Sequence, residues 1–281
     1  MNLKEFRVLA CDLYLEANFK IRSDIKRALI KAQKQEKNKL AKEALSVILE
    51  NAKLAYRDKV AICQDTGYPV FFITVGGSFL KNMTGIKREL MAGIRDATFK
   101  GCLRSSIVKD PLKRKNISPN VPPVMHIECW DKNECEITLL VKGFGSENKS
   151  RLYLLNPNTK EDEIVDIIVK HIKEVGSSAC PPYIIGIGIG GTADAALMLS
   201  KKATLINLDK KNKDSYLDKL EKRIEKGVNE LKIGPLGMKG ITTCLGVKII
   251  THPTHIAGLP LAISVGCHAT RSVNRKIKPK S

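Results

Sequence analysis

Near residue 60 the apolar pattern changes its period, and that change restricts what the chain can become. Ile25, Ala28, Leu29 and Ala32 recur at helical spacing behind Ser23 as a cap, and Leu45, Ile48, Leu49 and Ala52 repeat the spacing. From Pro69 the pattern becomes the continuous run Val70-Phe71-Phe72-Ile73-Thr74-Val75, a strand that stops at Gly76-Gly77. A helical first third followed by strands requires a mixed α/β (α+β) fold, with mixed sheets covered by helices.

The rest of the chain alternates the two patterns. A helix is expected over 84–100. Val124–Glu128 and Glu136–Val141 read as two strands joined through Asp131-Lys132-Asn133, a hairpin. Helical spacing returns over 161–175, and Tyr183–Ile189 is a buried strand. Thr192 is placed to cap a helix running to about 203, and 212–231 is a charged amphipathic helix. Val247–Ile250 and Leu261–Val265 are short apolar runs between turns, and Arg275–Ser281 is a basic tail expected to fray. No repeat or low-complexity linker splits the chain.

At 281 residues the chain can bury a large core without disulfides or metals. The opening stretch MNLKEFRVLACDLYLEANFK breaks its apolar residues with charges, which argues against a signal peptide. No apolar run reaches spanning length, so the expectation is a cytoplasmic protein without a membrane partner. The net charge of +19 raises the question of nucleic acid. The basic residues alternate with acidic ones, as in Asp218-Lys219-Leu220-Glu221-Lys222-Arg223, and no aromatic stacking pattern accompanies them. A solvated lysine-rich surface that attracts a small dianion explains the charge, and no nucleic-acid partner is expected. A basic nucleic-acid-binding module stays open as an alternative.

Eight cysteines, at 11, 63, 102, 129, 135, 180, 244 and 267, form no CxxC pair. Most are expected to be small buried hydrophobes, and any metal site must collect cysteines from distant segments. Gly186-x-Gly188-x-x-Gly191 follows a strand and precedes a helix, with Asp209 near the distance of a ribose-binding acid. That pattern keeps an NAD-dependent oxidoreductase open. Against it, Asp209 opens a lysine-rich polar run, and the glycines equally suit a tight strand-to-helix turn. Just upstream, Cys180 precedes Pro181-Pro182, whose rings stiffen the loop. Cys63-Gln64-Asp65-Thr66-Gly67 sets a thiol, an amide, a carboxylate and a hydroxyl consecutively between a helix and a strand.

Taken together, these segments resemble one family. CQDTG at 63–67, ACPP at 179–182 with GIGGTAD at 188–194, IGPLGMKG at 233–240, THIAGLP at 254–260 and GCHATR at 266–271 are similar to the α part of class I, iron–sulfur-dependent fumarate hydratases and L(+)-tartrate dehydratases. Leu103-Arg104-Ser105-Ser106, the segment from Asp110 to Asn120, and Lys142–Lys149 resemble further blocks of that family, in its order.

The resemblance implies a single α-type domain over 1–281, with a helical region over about 1–58 and a cluster- and substrate-binding region over about 59–271. It implies that Cys63, Cys180 and Cys267 bind a [4Fe–4S] cluster, three thiolates leaving one iron open as a Lewis acid. Gln64, Asp65, Arg104, Gly145 and His255 would contact substrate, with Asp65 and His255 catalytic and Asp65 a proton donor to the departing hydroxyl. Arg104 would grip a carboxylate through its guanidinium fork. Nothing comparable is implied for His126, His171 or His268. One departure stands at Phe144, where the family often has the middle glycine of three. The implied activity is reversible hydration of fumarate to malate, a tricarboxylic acid cycle step, with L(+)-tartrate dehydration as the alternative. The family's catalytic base and further anchors lie in a β region that has no counterpart here, so a separate β subunit in an α2β2-type assembly is expected.

Overall fold

The computed structural model describes residues 2–115 and 119–279. Along the chain the elements are α1 (Leu3–Phe19), α2 (Ser23–Gln35), α3 (Lys39–Asp58), β1 (Tyr68–Val75), α4 (Ser78–Lys81), α5 (Met83–Lys100), β2 (Val124–Cys129) and β3 (Cys135–Lys142). There follow α6 (Phe144–Glu147), β4 (Arg151–Leu155), α7 (Glu161–Val175), β5 (Tyr183–Gly191), α8 (Ala193–Ala203) and α9 (Ser215–Glu230). A 3-10 turn at Pro235–Gly237 then leads to β6 (Cys244–Thr254), β7 (Leu259–Gly266) and β8 (Arg271–Ile277). The expected class is borne out: three helices precede the first strand, and two mixed sheets follow. No described helix is long and apolar enough to cross a membrane.

Two compact units divide the chain. Met1–Arg22, Asn51–Phe144 and Arg271–Ser281 make the first; Ser23–Glu50 and Gly145–Thr270 make the second.

In the first unit, α1 begins in a capping box, with Asn2 Oδ1 accepting from Glu5 N at 3.0 Å and Glu5 Oε2 accepting from Asn2 N at 3.2 Å. The apolar face of α1 (Phe6, Ala10, Leu13) packs with Ile86, Leu90 and Ile94 of α5 onto Phe71, Ile73 and Leu139 of the sheet. Strand order is β2-β1-β3-β8. β1 runs parallel to β2 and antiparallel to β3, so the expected hairpin between β2 and β3 does not exist. β1 lies between them, and the 130–134 connection crosses its end, closed by Trp130 N to Val75 O and Gly76 N to Glu134 O, both 3.1 Å. A Cβ on Gly76 would stand 2.3 Å from Lys132 O, so the glycine read as a strand stop is what admits that crossing. The expected fraying is also corrected in part. Arg275–Ile277 pairs with Cys135–Ile137 as part of β8, while Lys280 and Ser281 lie outside the described residues. The 116–118 part of the Asp110–Asn120 block lies outside them as well.

The second unit has strand order β4-β7-β5-β6, with β5 parallel to β6 and antiparallel to β7. β5 shows why its sequence alternates glycine with isoleucine. Ile185 and Ile187 enter the core with Ile168 and Ile172 of α7 and Ile224 and Val228 of α9. Gly186 and Gly188 face α8, where added Cβ atoms would stand 2.1 Å from Ser200 O and 2.2 Å from Ala196 O. The run Val247–Ile250 belongs to the much longer β6, and β4, which carries no sequence signal of its own, completes the sheet edge. The charged helix starts at Ser215, its cap Asp214 accepting from Tyr216 N at 2.8 Å.

Candidate active site

The Cys63–Gly67 segment lies in the first unit between α3 and β1, and its backbone is held from several sides. The Tyr14 hydroxyl donates to the carbonyls of Thr66 and Gly67 at 3.2 and 3.3 Å. Arg271 Nη2 donates to the Asp65 carbonyl at 2.8 Å, and Ile62 N donates to Asn18 O at 2.9 Å. Thr66 Oγ1 donates to the Arg104 carbonyl at 2.7 Å, which also accepts from Asn120 Nδ2 at 2.9 Å. These bonds bring Cys63, Gln64 and Asp65 together with the backbone of Arg104, whose side chain is exposed, as is that of Gln64. Asp65 is anchored by both oxygens: Oδ1 accepts from Gly67 N at 2.9 Å and Oδ2 from Phe144 N at 2.7 Å. Phe144, the departure from the family pattern, thus contributes its amide to Asp65 and its ring to Tyr68, 5.9 Å between centroids.

In the second unit Cys180 is exposed at φ 55°, a left-handed conformation uncommon for cysteine. Its carbonyl accepts from His268 N at 3.2 Å and meets His268 Nδ1 at 3.1 Å. That pairing draws together the segments carrying Cys180 and Cys267. Cys267 is half-buried, and its carbonyl accepts from Thr270 N and Oγ1 at 3.0 and 2.8 Å. Tyr183, at the start of β5, is fully buried, its hydroxyl donating to Gly176 O at 2.6 Å. Burial raises the phenol pKa, and a hydrogen bond with the backbone of Ala179 opposes part of that rise. The Leu236 N–H of the IGPLGMKG block donates to Pro181 O at 2.8 Å, tying a third motif to this loop.

His255, exposed on the β6–β7 connection, accepts at Nδ1 from Ala257 N at 3.1 Å. A neutral ring with Nδ1 as acceptor carries its proton on Nε2, which is then an outward donor. The neighbouring Thr254 Oγ1 donates to Gly191 O at 3.0 Å, which fixes the turn to the end of β5. Gly145 has open space where a side chain would stand.

The remaining conspicuous groups serve the fold. Gly186 and Gly188 admit α8, and Asp209 pairs with Arg27. Thr192 is the residue before α8, but its hydroxyl donates to Asp194 at 2.6 Å and caps no backbone N–H. His126 stacks on Phe72 at 5.0 Å, and His171 Nε2 meets Lys149 O at 2.8 Å. Only Cys11, Cys135 and Cys244 are buried hydrophobes; Cys102 and Cys129 are exposed, which corrects the expectation for most of the set.

Sequence reasoning missed Tyr14, Asn18, Tyr183 and the part played by His268. Asn18 and Tyr14 sit on the buried face of α1, an i, i+4 polar pair within an apolar stripe. A buried polar group needs a partner, and that was the available signal.

The family model described as Fumarate hydratase (Fumerase) matches residues 8–276. A Methanocaldococcus jannaschii protein provisionally named as an L(+)-tartrate dehydratase subunit alpha is 38% identical over 274 residues, 95% of each chain. The L(+)-tartrate dehydratase subunit alpha of Escherichia coli K12 is 30% identical over 239 residues, 84% of this chain and 78% of that one. A Geobacillus stearothermophilus protein provisionally named as a class I fumarate hydratase is 32% identical over 281 residues. That alignment takes in 96% of this chain and 54% of the relative, so the chain spans about half of that protein's length. The chain belongs to the fumarate hydratase (Fumerase) family of hydro-lyases.

Proposed function

We propose that this chain is the α subunit of an iron–sulfur hydro-lyase that interconverts malate and fumarate in the cytoplasm, and that a separate β subunit completes it. The observation that carries the reading is the donor set. Cys63 and Cys267 are half-buried and Cys180 is exposed, none in a disulfide, on three loops whose backbones are tied down by hydrogen bonds. No group of three or more His, Cys, Asp or Glu side chains able to hold a single metal ion occurs among the described residues. A [4Fe–4S] cluster is a different requirement, since it would be held by cysteine thiolates instead of such a mixed single-ion group. Cys63, Cys180 and Cys267 would hold the [4Fe–4S] cluster, which when bound supplies a Lewis-acid iron to the substrate hydroxyl and carboxylate.

The remaining chemistry falls to the chain's own side chains. The exposed guanidinium of Arg104, on a segment braced by Thr66 and Asn120, binds a substrate carboxylate through two parallel N–H donors. Asp65, clamped between Gly67 and Phe144, keeps an outer lone pair at which a proton can be held for the departing hydroxyl. Gln64 offers an exposed amide beside it, Gly145 an unobstructed backbone, and His255 a hydrogen bond from Nε2 to a carboxylate.

L(+)-tartrate is the second substrate reading, favoured by the names of the Methanocaldococcus jannaschii and Escherichia coli relatives, both matched over most of their own length. The β subunit is supported by those same names and by a relative of which this chain covers 54%. Separate Cys63→Ser, Cys180→Ser and Cys267→Ser variants, reconstituted anaerobically, should each lose bound iron and sulfide relative to Cys129→Ser. Full cluster occupancy in any of the three would refute the ligand set.

A further inference from the structure

Arg271 closes the GCHATR block, and the chemistry above gives it no task. It is among the most deeply buried side chains of the protein, 1% exposed. A guanidinium is costly to remove from water and persists in a core only where its donors are used. Here Nη2 donates to the Asp65 carbonyl at 2.8 Å and Nη1 to Asn18 Oδ1 at 3.2 Å, while Nε is buried without a partner. Asn18 is itself oriented, its Nδ2 donating to the Tyr14 carbonyl at 3.0 Å, which turns Oδ1 toward the guanidinium. The backbone of Arg271 is the first rung of β8 on β3, opposite Val141, so the side chain is presented from a rigid element. A residue required only for packing would be apolar. This one spends a buried charge on a loop carbonyl two residues after Cys63.

We propose that Arg271 is a positioning residue for the candidate active site: its guanidinium fixes the Asp65 carbonyl and so the direction in which Cys63, Gln64 and Asp65 are presented. The inference rests on reading Cys63 as a cluster ligand and Asp65 as a substrate residue, but its test does not need a loaded cluster. In the full-length apo chain, kept reduced, a pulse of alkylating agent followed by peptide mass spectrometry reads each cysteine separately. Cys129, exposed on β2, is the internal standard, and Cys135, buried on β3 of the same unit, reports any general loosening.

Arg271→Met should raise the alkylation rate of Cys63 about tenfold relative to Cys129, the scale of one lost charge-assisted hydrogen bond. Arg271→Lys should give a partial rise, because an ammonium can serve one of the two acceptors but not both. Cys135 should stay protected in each variant. Should Arg271→Met fail to fold, Arg271→Lys and Asn18→Ala carry the test, since each removes one of the two guanidinium bonds. An unchanged Cys63 rate in the folded variants overturns the proposal, and so does a parallel rise at Cys63 and Cys135, which marks a general packing role. Cluster retention by Cys63→Ser would instead remove the functional reading and leave the loop result standing.

Discussion

On the proposed reading Asp65 carries two demands at once, holding its own loop and serving the substrate, and a substitution can separate them. In Asp65→Asn one backbone N–H, from Gly67 or Phe144, faces an amide NH2 where it had an oxygen. That should cost about 1–3 kcal/mol of stability in thermal unfolding. In the assembled enzyme kcat should fall more than KM rises, because the proton is held only as the hydroxyl departs. Equal effects on kcat and KM would reduce Asp65 to a binding group. Arg104→Lys is the complementary case. The segment's anchors are backbone bonds that survive the change, so iron content should hold while kcat/KM drops about tenfold to a hundredfold. Unchanged kinetics would leave Arg104 as surface charge. Tyr14 gives a pH signature. Desolvation pushes its phenol pKa up to about 12 in the folded chain, opposed in part by the charge of Arg271. The folded state therefore keeps a proton that the unfolded chain releases near pH 10, so this stability is intact below pH 10 and is lost as pH rises toward 12. Tyr14→Phe should flatten that part of the stability profile in chemical denaturation, and an unaltered slope would contradict the assignment.

At the scale of elements, what the sequence disclosed and what it withheld divide along a physical line. Helical periodicity is local, and α5, α7 and α8 lie within a residue or two of where their spacing puts them. Strand order is not local. Val124–Glu128 and Glu136–Val141 carry the composition of a hairpin, yet β1, from well upstream in the chain, takes the place between them. The signal for that insertion was Gly76, whose missing side chain the crossing loop requires. A glycine at a strand end, however, is equally expected in any tight turn or bulge, so it could not be read that way in isolation. The glycine-rich run of β5 misleads in the opposite direction, since it has the spacing of a dinucleotide turn while its glycines serve helix packing. Gly188→Ala should therefore push α8 from the sheet and cost about 1–3 kcal/mol in thermal unfolding. Calorimetric titration with NAD should show no binding before or after the change. A stable Gly188→Ala protein that had lost nicotinamide-cofactor affinity would restore the oxidoreductase reading.

For the molecule as a whole, Cys63, Cys180 and Cys267 are proposed as cluster ligands only because they sit inside family blocks; spacing alone does not distinguish them from Cys102 or Cys129, which are also open to solvent. The supporting residues were less visible. Tyr14 and Asn18 come from a helix without any motif, and Tyr183 looked like the start of an ordinary buried strand. Their roles arise from tertiary neighbours that no local pattern encodes. The central claim is that this chain supplies the cluster and half of the acid–base and binding groups, and that a second chain supplies the rest. One measurement tests it most directly. The chain is reconstituted anaerobically, its cluster is verified by iron and sulfide content and by its visible absorption, and malate dehydration is assayed with and without a co-purified β subunit, with L(+)-tartrate in parallel. Negligible turnover by the loaded chain alone and full turnover on adding the partner are predicted, because an open iron cannot by itself remove the proton from the neighbouring carbon. Equal activity with and without the partner, or activity in a chain that holds no cluster, would contradict the claim.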